Sequence, residues 1–223
     1  MVELITGLDN ALIAANLVQV RERIAQAAAA GGRDGEAVRV LAATKYVADD
    51  ELPALAEGGL RLVGENRAQD LERKAAEHGA LFEWHFIGQL QSRKVRAIVP
   101  HVTLIHSVAS RSALAQLQSH AGSAHPGLEI LLEVNVSGEQ GKAGIEPEEL
   151  ASYIAESPVP VAGLMTMPPL ATESEASRPW FAALRRLAGE HGLRELSMGT
   201  SQDYAVAVEE GATIVRIGTS LYR

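Results

Sequence analysis

The chain has 223 residues, 47% of them hydrophobic but only 4% aromatic, so a sizeable and mostly aliphatic core is expected. A formal charge of -8 with no clustered basic face argues against nucleic acid as a partner, because phosphate backbones are bound by grouped Lys and Arg. Cysteine is absent, which excludes disulfides and thiolate metal sites.

The start, Met1-Val2-Glu3-Leu4, lacks the basic and apolar regions of a signal peptide. The longest mostly apolar stretch, 11–30, is broken by Arg21, Glu22 and Arg23, which suits a membrane span poorly. A cytoplasmic protein with no membrane association is expected.

Ile13, Leu17, Val20 and Ile24 recur at helical spacing and predict one amphipathic helix over 9–30, ended by Gly31-Gly32. Beyond it, short apolar runs alternate with helical segments. The runs predict strands at 38–44, 61–64, 84–88, 102–107, 129–136, 161–165, 195–198 and 214–218, each but the last followed by a helix. Asp49, Asp50 and Glu51 place acids in a first helical turn, where the macrodipole favours them. Ser110 is a candidate N-cap ahead of Leu114 and Leu117, and Pro147 among Glu146, Glu148 and Glu149 opens another helix. Trp180 or Phe181, with Leu184 and Leu187, forms the apolar stripe of a late helix.

Strict strand–helix alternation requires a parallel sheet, and eight units favour closure into a single (β/α)8 TIM-type barrel, an α/β fold. The whole of 1–223 reads as one domain, with 1–32 packed outside the barrel. An open doubly wound sheet is the alternative. It needs a glycine-rich turn after the first strand, and Thr44-Lys45-Tyr46-Val47 contains no glycine.

Sites on such barrels lie at the C-terminal ends of the strands. Lys45 closes the first strand in a chain with four lysines beside sixteen arginines. A lysine held in low-dielectric surroundings favours the neutral, nucleophilic amine; the plain alternative is a solvated lysine on the rim. Asn66, His85, Gly88, Gln89, Ser107, Asn135, Ser137 and Thr166 follow at later strand ends. The turns 198–201 and 218–220 are rich in glycine and hydroxyls and enter helical or terminal segments, a composition that suits an anion and equally an ordinary turn. Arg216 sits between Val215 and Ile217, and inside a buried strand its donors need partners, either a bracing carboxylate such as Glu133 or a ligand. Lysine, anion cradle and inward arginine together suit a phosphorylated aldehyde, for which pyridoxal 5′-phosphate is the obvious candidate. No His spacing fits a metal site; His85, between Trp84 and Phe86, reads as a hydrogen-bonded core residue, and Asp203 as a first-turn acid.

Eight short segments in fixed order carry a resemblance: LAATK (41–45), VGEN (63–66), WHFIGQLQ (84–91), LEVN (132–135), GKAG (141–144), GLM (163–165), SMGTSQD (197–203) and VRIGT (215–219). Along essentially its whole length the chain resembles the pyridoxal-phosphate homeostasis proteins, whose barrel is related to the N-terminal domain of alanine racemases. The resemblance implies a cofactor, pyridoxal 5′-phosphate, carried as a Schiff base on Lys45. It places Asn66 beside the ring, Arg216 at the pyridine nitrogen, and Ser201, Gly218 and Thr219 at the phosphate. Met198 and Gly199 flank that cradle, and Lys142 matches a second family lysine, with a solvated loop lysine as the alternative.

Two functions of different class follow. One is a non-catalytic, monomeric carrier that takes part in vitamin B6 homeostasis and passes cofactor to apo forms of pyridoxal-phosphate enzymes. The other is an amino-acid racemase or related enzyme. Racemisation needs a second base facing Lys45. In the resembling racemases a second domain brings that base, and here the barrel consumes the chain; Tyr204 and Tyr222 are not evident replacements. The carrier is the preferred expectation, with no catalytic residue assigned.

Overall fold

The computed structural model describes residues 4–222; Met1, Val2, Glu3 and Arg223 lie outside the described residues, so the expectation drawn from the first residues has no structural counterpart. Eight parallel strands close in sequence order: β1 (Arg39–Ala43), β2 (Leu62–Glu65), β3 (Glu83–Phe86), β4 (Leu104–Val108), β5 (Glu129–Glu133), β6 (Val161–Met165), β7 (Glu195–Thr200) and β8 (Ile214–Ile217). The ladder between β1 and β8, from Arg39 opposite Ile214 to Ala42 opposite Ile217, closes the barrel and excludes the open sheet.

Helices cover the outside: α1 (Asn10–Ala30), α2 (Leu52–Glu57), α3 (Ala68–His78), α4 (Val95–Ile98), α5 (Arg111–Ser119), α6 (Leu150–Glu156), α7 (Arg178–Glu190), α8 (Tyr204–Glu209) and α9 (Thr219–Tyr222). Asp9 caps α1 by accepting from the N–H groups of Ala11 and Leu12, and the stripe Ile13, Leu17, Val20, Ile24 is buried, with α1 lying against α8 and α9. Each such buried aliphatic side chain contributes about 1.5–3 kcal/mol. Ser110 caps α5 through Ala113 N–H.

Local differences from the expectation have local causes. Asp49–Glu51 and Pro147–Glu149 form 3-10 turns ahead of α2 and α6 rather than their first α turns. β5 ends at Glu133 because Asn135 N–H turns to Ile145 O and the chain folds back there. The last strand is followed by α9, whose four residues are too few to show a helical period.

The barrel encloses its own small cluster, Leu41, Leu62, Leu104, Leu131, Met165 and Ile214, apart from the large core between strands and helices. His85 on β3, His106 on β4, Ser197 on β7 and Arg216 on β8 are buried as well.

Candidate functional site

At the C-terminal mouth lies a cavity of about 560 Å³ whose lining includes Lys45, Asn66, Ser201, Arg216, Gly218 and Thr219. The structure thus brings together six residues singled out in the sequence, from the ends of β1, β2, β7 and β8. The volume lies in the range of about 300–1,000 Å³ that holds small ligands.

Lys45 follows β1 by two residues. Its side chain is exposed, with Nζ 5.0 Å from the centroid of the Tyr46 ring. Burial in the free protein therefore does not desolvate it, contrary to the strand-tip argument: a strand's apolar body does not decide how deeply the loops around its tip enclose the next residue. What the fold provides is a rigid base. The Thr44 carbonyl accepts from Lys74 Nζ at 2.8 Å, and Lys74 Nζ also meets Glu65 Oε1 at 2.6 Å. Thr44 Oγ1 donates to the same carboxylate oxygen at 2.8 Å. On the other side of the loop, Ile5 N–H donates to Tyr46 O and Ala48 N–H to Ile5 O, so the segment before α1 is strapped across it. Tyr222 Oη donates to Ala43 O.

Asn66 is the polar end of β2. Its Oδ1 is buried and has no hydrogen-bond partner among the described residues. Its backbone sits so close to Gly88 that a Cβ there would lie 2.0 Å from Asn66 O. Gly88→Ala is therefore expected to push the tips of β2 and β3 apart, lowering stability by about 1–3 kcal/mol, the usual overpacking cost, and reshaping the cavity at Asn66. Urea denaturation checks the first effect; an unchanged midpoint would contradict it.

Arg216 is 7% exposed. NH1 donates to Ser197 O and Oγ at 2.8 and 2.6 Å, and NH2 to Thr166 O and Met167 Sδ at 3.1 and 2.9 Å. Nε–H has no acceptor among the described residues, and it belongs to a side chain that lines the cavity. Burial lowers the guanidinium to about 10, partly offset by Glu133 and Asp203, so it remains a cation at neutral pH. Glu133 forms no ion pair with it among the described residues, and burial raises that carboxyl above its ordinary value. The bracing partners are neutral oxygens and a sulfur, not the carboxylate that was one of the two alternatives.

The two turns rich in glycine and hydroxyls face the same cavity. Gly218 N–H donates to Ser201 Oγ at 3.2 Å, tying them together, and a Cβ on Gly218 would meet nothing closer than Ala43 Cβ at 3.9 Å. The backbone N–H groups of Thr219 and Ser220 open α9 and lack intrahelical acceptors. Asp203 does not act as a simple first-turn acid. It precedes α8 and reaches back, accepting from Thr200 N–H at 2.7 Å and from Ser177 Oγ at 2.8 Å, which fixes the turn.

Other candidates lie away from the cavity lining. Met198 is buried in the outer core, and Gly199 has φ +89 with Ala207 Cβ only 2.6 Å from where its own Cβ would stand, so both serve the packing of β7 on α8. Lys142 pairs with Glu139 at 3.2 Å in the loop after β5. Gly88 and Gln89, named in the sequence as strand-end residues, also line the cavity, whereas Tyr46, Met167 and Tyr222 line it without having been assigned there. The Glu65–Lys74 pair was also missed, although Lys74 falls on the α3 face of Leu71 and His78, where a buried lysine has to find an anion.

The family model for the N-terminal domain of alanine racemase matches residues 9–223. A pyridoxal phosphate homeostasis protein of Aquifex aeolicus is 42% identical over 217 residues, spanning 92% of this chain and 95% of its own. The structure of PipY from Synechococcus elongatus with pyridoxal phosphate bound superposes with a TM-score of 0.79 at 32% identity, covering 95% of this chain and 100% of its own. Alanine racemase from Corynebacterium glutamicum shares the fold at 14% identity and a TM-score of 0.67, with 96% of this chain matched to 61% of the racemase. The barrel, the cavity at its mouth and these matches along nearly the whole length agree: the chain belongs to the pyridoxal phosphate homeostasis protein family.

Proposed function

We propose that this chain binds pyridoxal 5′-phosphate reversibly in the cavity at the barrel mouth and serves vitamin B6 homeostasis without strong catalytic activity. The observation that carries the reading is the convergence of Lys45, Arg216 and the turn residues Ser201, Gly218 and Thr219 on one cavity of about 560 Å³. The buried, unpartnered Asn66 Oδ1 adds to the fit, since an orphaned amide oxygen calls for a polar ligand group.

Pyridoxal phosphate supplies an aldehyde that condenses with a lysine amine to a Schiff base, with loss of water. Lys45 provides that amine. Its exposure leaves it in reach of water and competing amines, which suits a carrier that must release what it holds. Ser201 Oγ, held in place by Gly218 N–H, and the N–H groups of Thr219 and Ser220 hold the phosphate, with Gly218 leaving the backbone open to its approach. Arg216, a cation at neutral pH, offers Nε–H to the pyridine nitrogen and can only donate, so that nitrogen stays unprotonated. A ring in that state withdraws electrons weakly, which disfavours amino-acid chemistry.

A second base is not at hand in the tyrosines near the rim. Tyr222 is committed to Ala43 O, and burial pushes its hydroxyl upward, away from ionisation. Tyr204 is buried with Arg23 5.9 Å over its ring. The relatives' names as homeostasis proteins point the same way. The protein acts as a cytoplasmic monomer and hands cofactor to apo forms of pyridoxal-phosphate enzymes; among the described residues no helix is long and apolar enough to cross a membrane.

Ser201→Ala tests the cradle. Losing a charge-assisted hydrogen bond worth about 1.5–3 kcal/mol is expected to weaken pyridoxal phosphate binding roughly 10- to 100-fold while leaving unphosphorylated pyridoxal unaffected. Equal losses for both ligands in equilibrium titrations would remove the cradle.

A further inference from the structure

A row of polar side chains runs through the barrel beneath the cavity, in a space that barrels ordinarily fill with branched aliphatics. Arg216 NH1 on β8 donates to Ser197 Oγ on β7 at 2.6 Å. Ser197 Oγ lies 2.7 Å from His106 Nδ1 on β4, and His106 Nε2 lies 2.8 Å from His85 Nδ1 on β3. His85 Nε2 lies 3.0 Å from Glu83 Oε1, at the start of β3 and so at the opposite end of the barrel. His85, His106 and Ser197 are fully buried, whereas the Glu83 side chain is 43% exposed and also accepts from Arg39 and Thr103.

The two charged ends decide the direction of every bond between them. A guanidinium only donates and a carboxylate only accepts. Glu83 is held down to about 2, chiefly by the hydrogen bond from His85, so it is ionised at neutral pH. Burial lowers His85, and lowers His106 well below the ordinary histidine value, so both rings are neutral and each has one N–H and one acceptor nitrogen. His85 must present Nε2–H to the carboxylate, which leaves its Nδ1 to accept from His106 Nε2–H. His106 Nδ1 then accepts from the Ser197 hydroxyl, whose oxygen accepts from Arg216. The reverse order would set a ring lone pair against the carboxylate, and Arg39 NH2, 3.5 Å from His85 Nε2, is at the limit of hydrogen-bond reach.

We propose that Arg216, Ser197, His106, His85 and Glu83 form one polarised hydrogen-bonded relay from the cavity to the opposite barrel face, in which Ser197, His106 and His85 are positioning residues for Arg216. With the Ser197 proton committed to His106, its oxygen is free to take NH1, and the guanidinium is fixed with Nε–H as its remaining donor. The consequence for a bound ligand rests on the reading of the cavity as a pyridoxal phosphate site; the relay itself does not.

Histidine ¹⁵N NMR of the ligand-free protein tests the relay directly, with the two rings assigned by the signals lost in His85→Gln and His106→Gln. Both rings are expected to be neutral Nε2–H tautomers at pH 7. Glu83→Leu, a change at a half-exposed end of the chain, is expected to move His85 away from that state. An Nδ1–H tautomer or a protonated ring in the unaltered protein, or an unchanged His85 in Glu83→Leu, overturns the relay. With pyridoxal phosphate added, Glu83→Leu is expected to shift the bound cofactor's absorption band and weaken binding by about tenfold, the loss of roughly one neutral hydrogen bond. Borohydride should still fix the ligand on Lys45 in that variant. An unchanged band and affinity overturn the positioning role. Absence of a reducible adduct in the unaltered protein would sink the ligand reading instead, and the tautomers would still decide the relay.

Discussion

Replacing Lys74 with methionine is expected to lower the stability of the fold by about 3–5 kcal/mol, the usual cost of leaving one member of a buried ion pair without its partner. The side chains of Lys74 and Glu65 are 2% and 0% exposed, and their charged atoms stand 2.6 Å apart. Without Lys74 the carboxylate keeps, among the described residues, only Thr44 Oγ1 and the N–H of Asn66 as donors. Adding Glu65→Gln is expected to recover most of the loss, because no uncompensated charge then remains. Urea denaturation separates the cases: the midpoint should fall in the single variant and return in the double, at an unchanged slope. A single-variant loss under about 1 kcal/mol would mean that the pair is not the buried strut described here. Both variants should form the Lys45 adduct more slowly, because the Thr44 carbonyl has lost the ammonium that anchors the loop.

The second large effect is one of pH. His85 and His106 are buried and lowered from the ordinary value of 6.5, chiefly by desolvation, with Arg39 pushing both down, Arg216 also lowering His106, and Glu83 and Glu195 opposing the shift at His85. As pH falls through 6.5 the unfolded chain takes up a proton at each histidine and the folded protein does not. Stability is therefore complete above 6.5 and declines on acidification, by up to about 1.4 kcal/mol per pH unit for each histidine. Glu83 works in a lower window, its contribution present above 4.5 and lost as pH falls toward about 2. Glu133, raised by burial, acts in the opposite sense, so the informative quantity is a difference between proteins. Stability measured between pH 7 and 5.5 should fall less steeply in His106→Gln than in the unaltered protein. Equal slopes would show that the buried imidazole takes up its proton in the folded state as well.

Much of the fold was legible because strand bodies such as Val40-Leu41-Ala42 and Ile130-Leu131-Leu132 are continuous apolar runs, the mark of strands buried on both faces. Residues lining the mouth cavity were legible where a glycine, an amide or a charge interrupts such a run near its C-terminal end, as at Lys45, Asn66, Arg216 and Gly218. The exposure of Lys45 was not, since it depends on loops from other strands and on the segment around Ile5, which bridges to Val47. His106 hides inside an apolar strand, and only the inward register it shares with His85 shows the two as a pair. Lys74 went unread in the sequence, although its spacing from Leu71 and His78 puts it on the buried face of α3.

The reading of the mouth cavity stands or falls on one covalent bond. Purified protein should be mixed with pyridoxal 5′-phosphate, its absorption spectrum recorded before and after borohydride reduction, and the modified peptide mapped. A near-visible band that reduction bleaches, with the label on Lys45 and neither band nor label in Lys45→Ala, is the expected result. No band at excess ligand, or a label on Lys142 that persists when Lys45 is removed, would contradict the assignment of this cavity as the cofactor site.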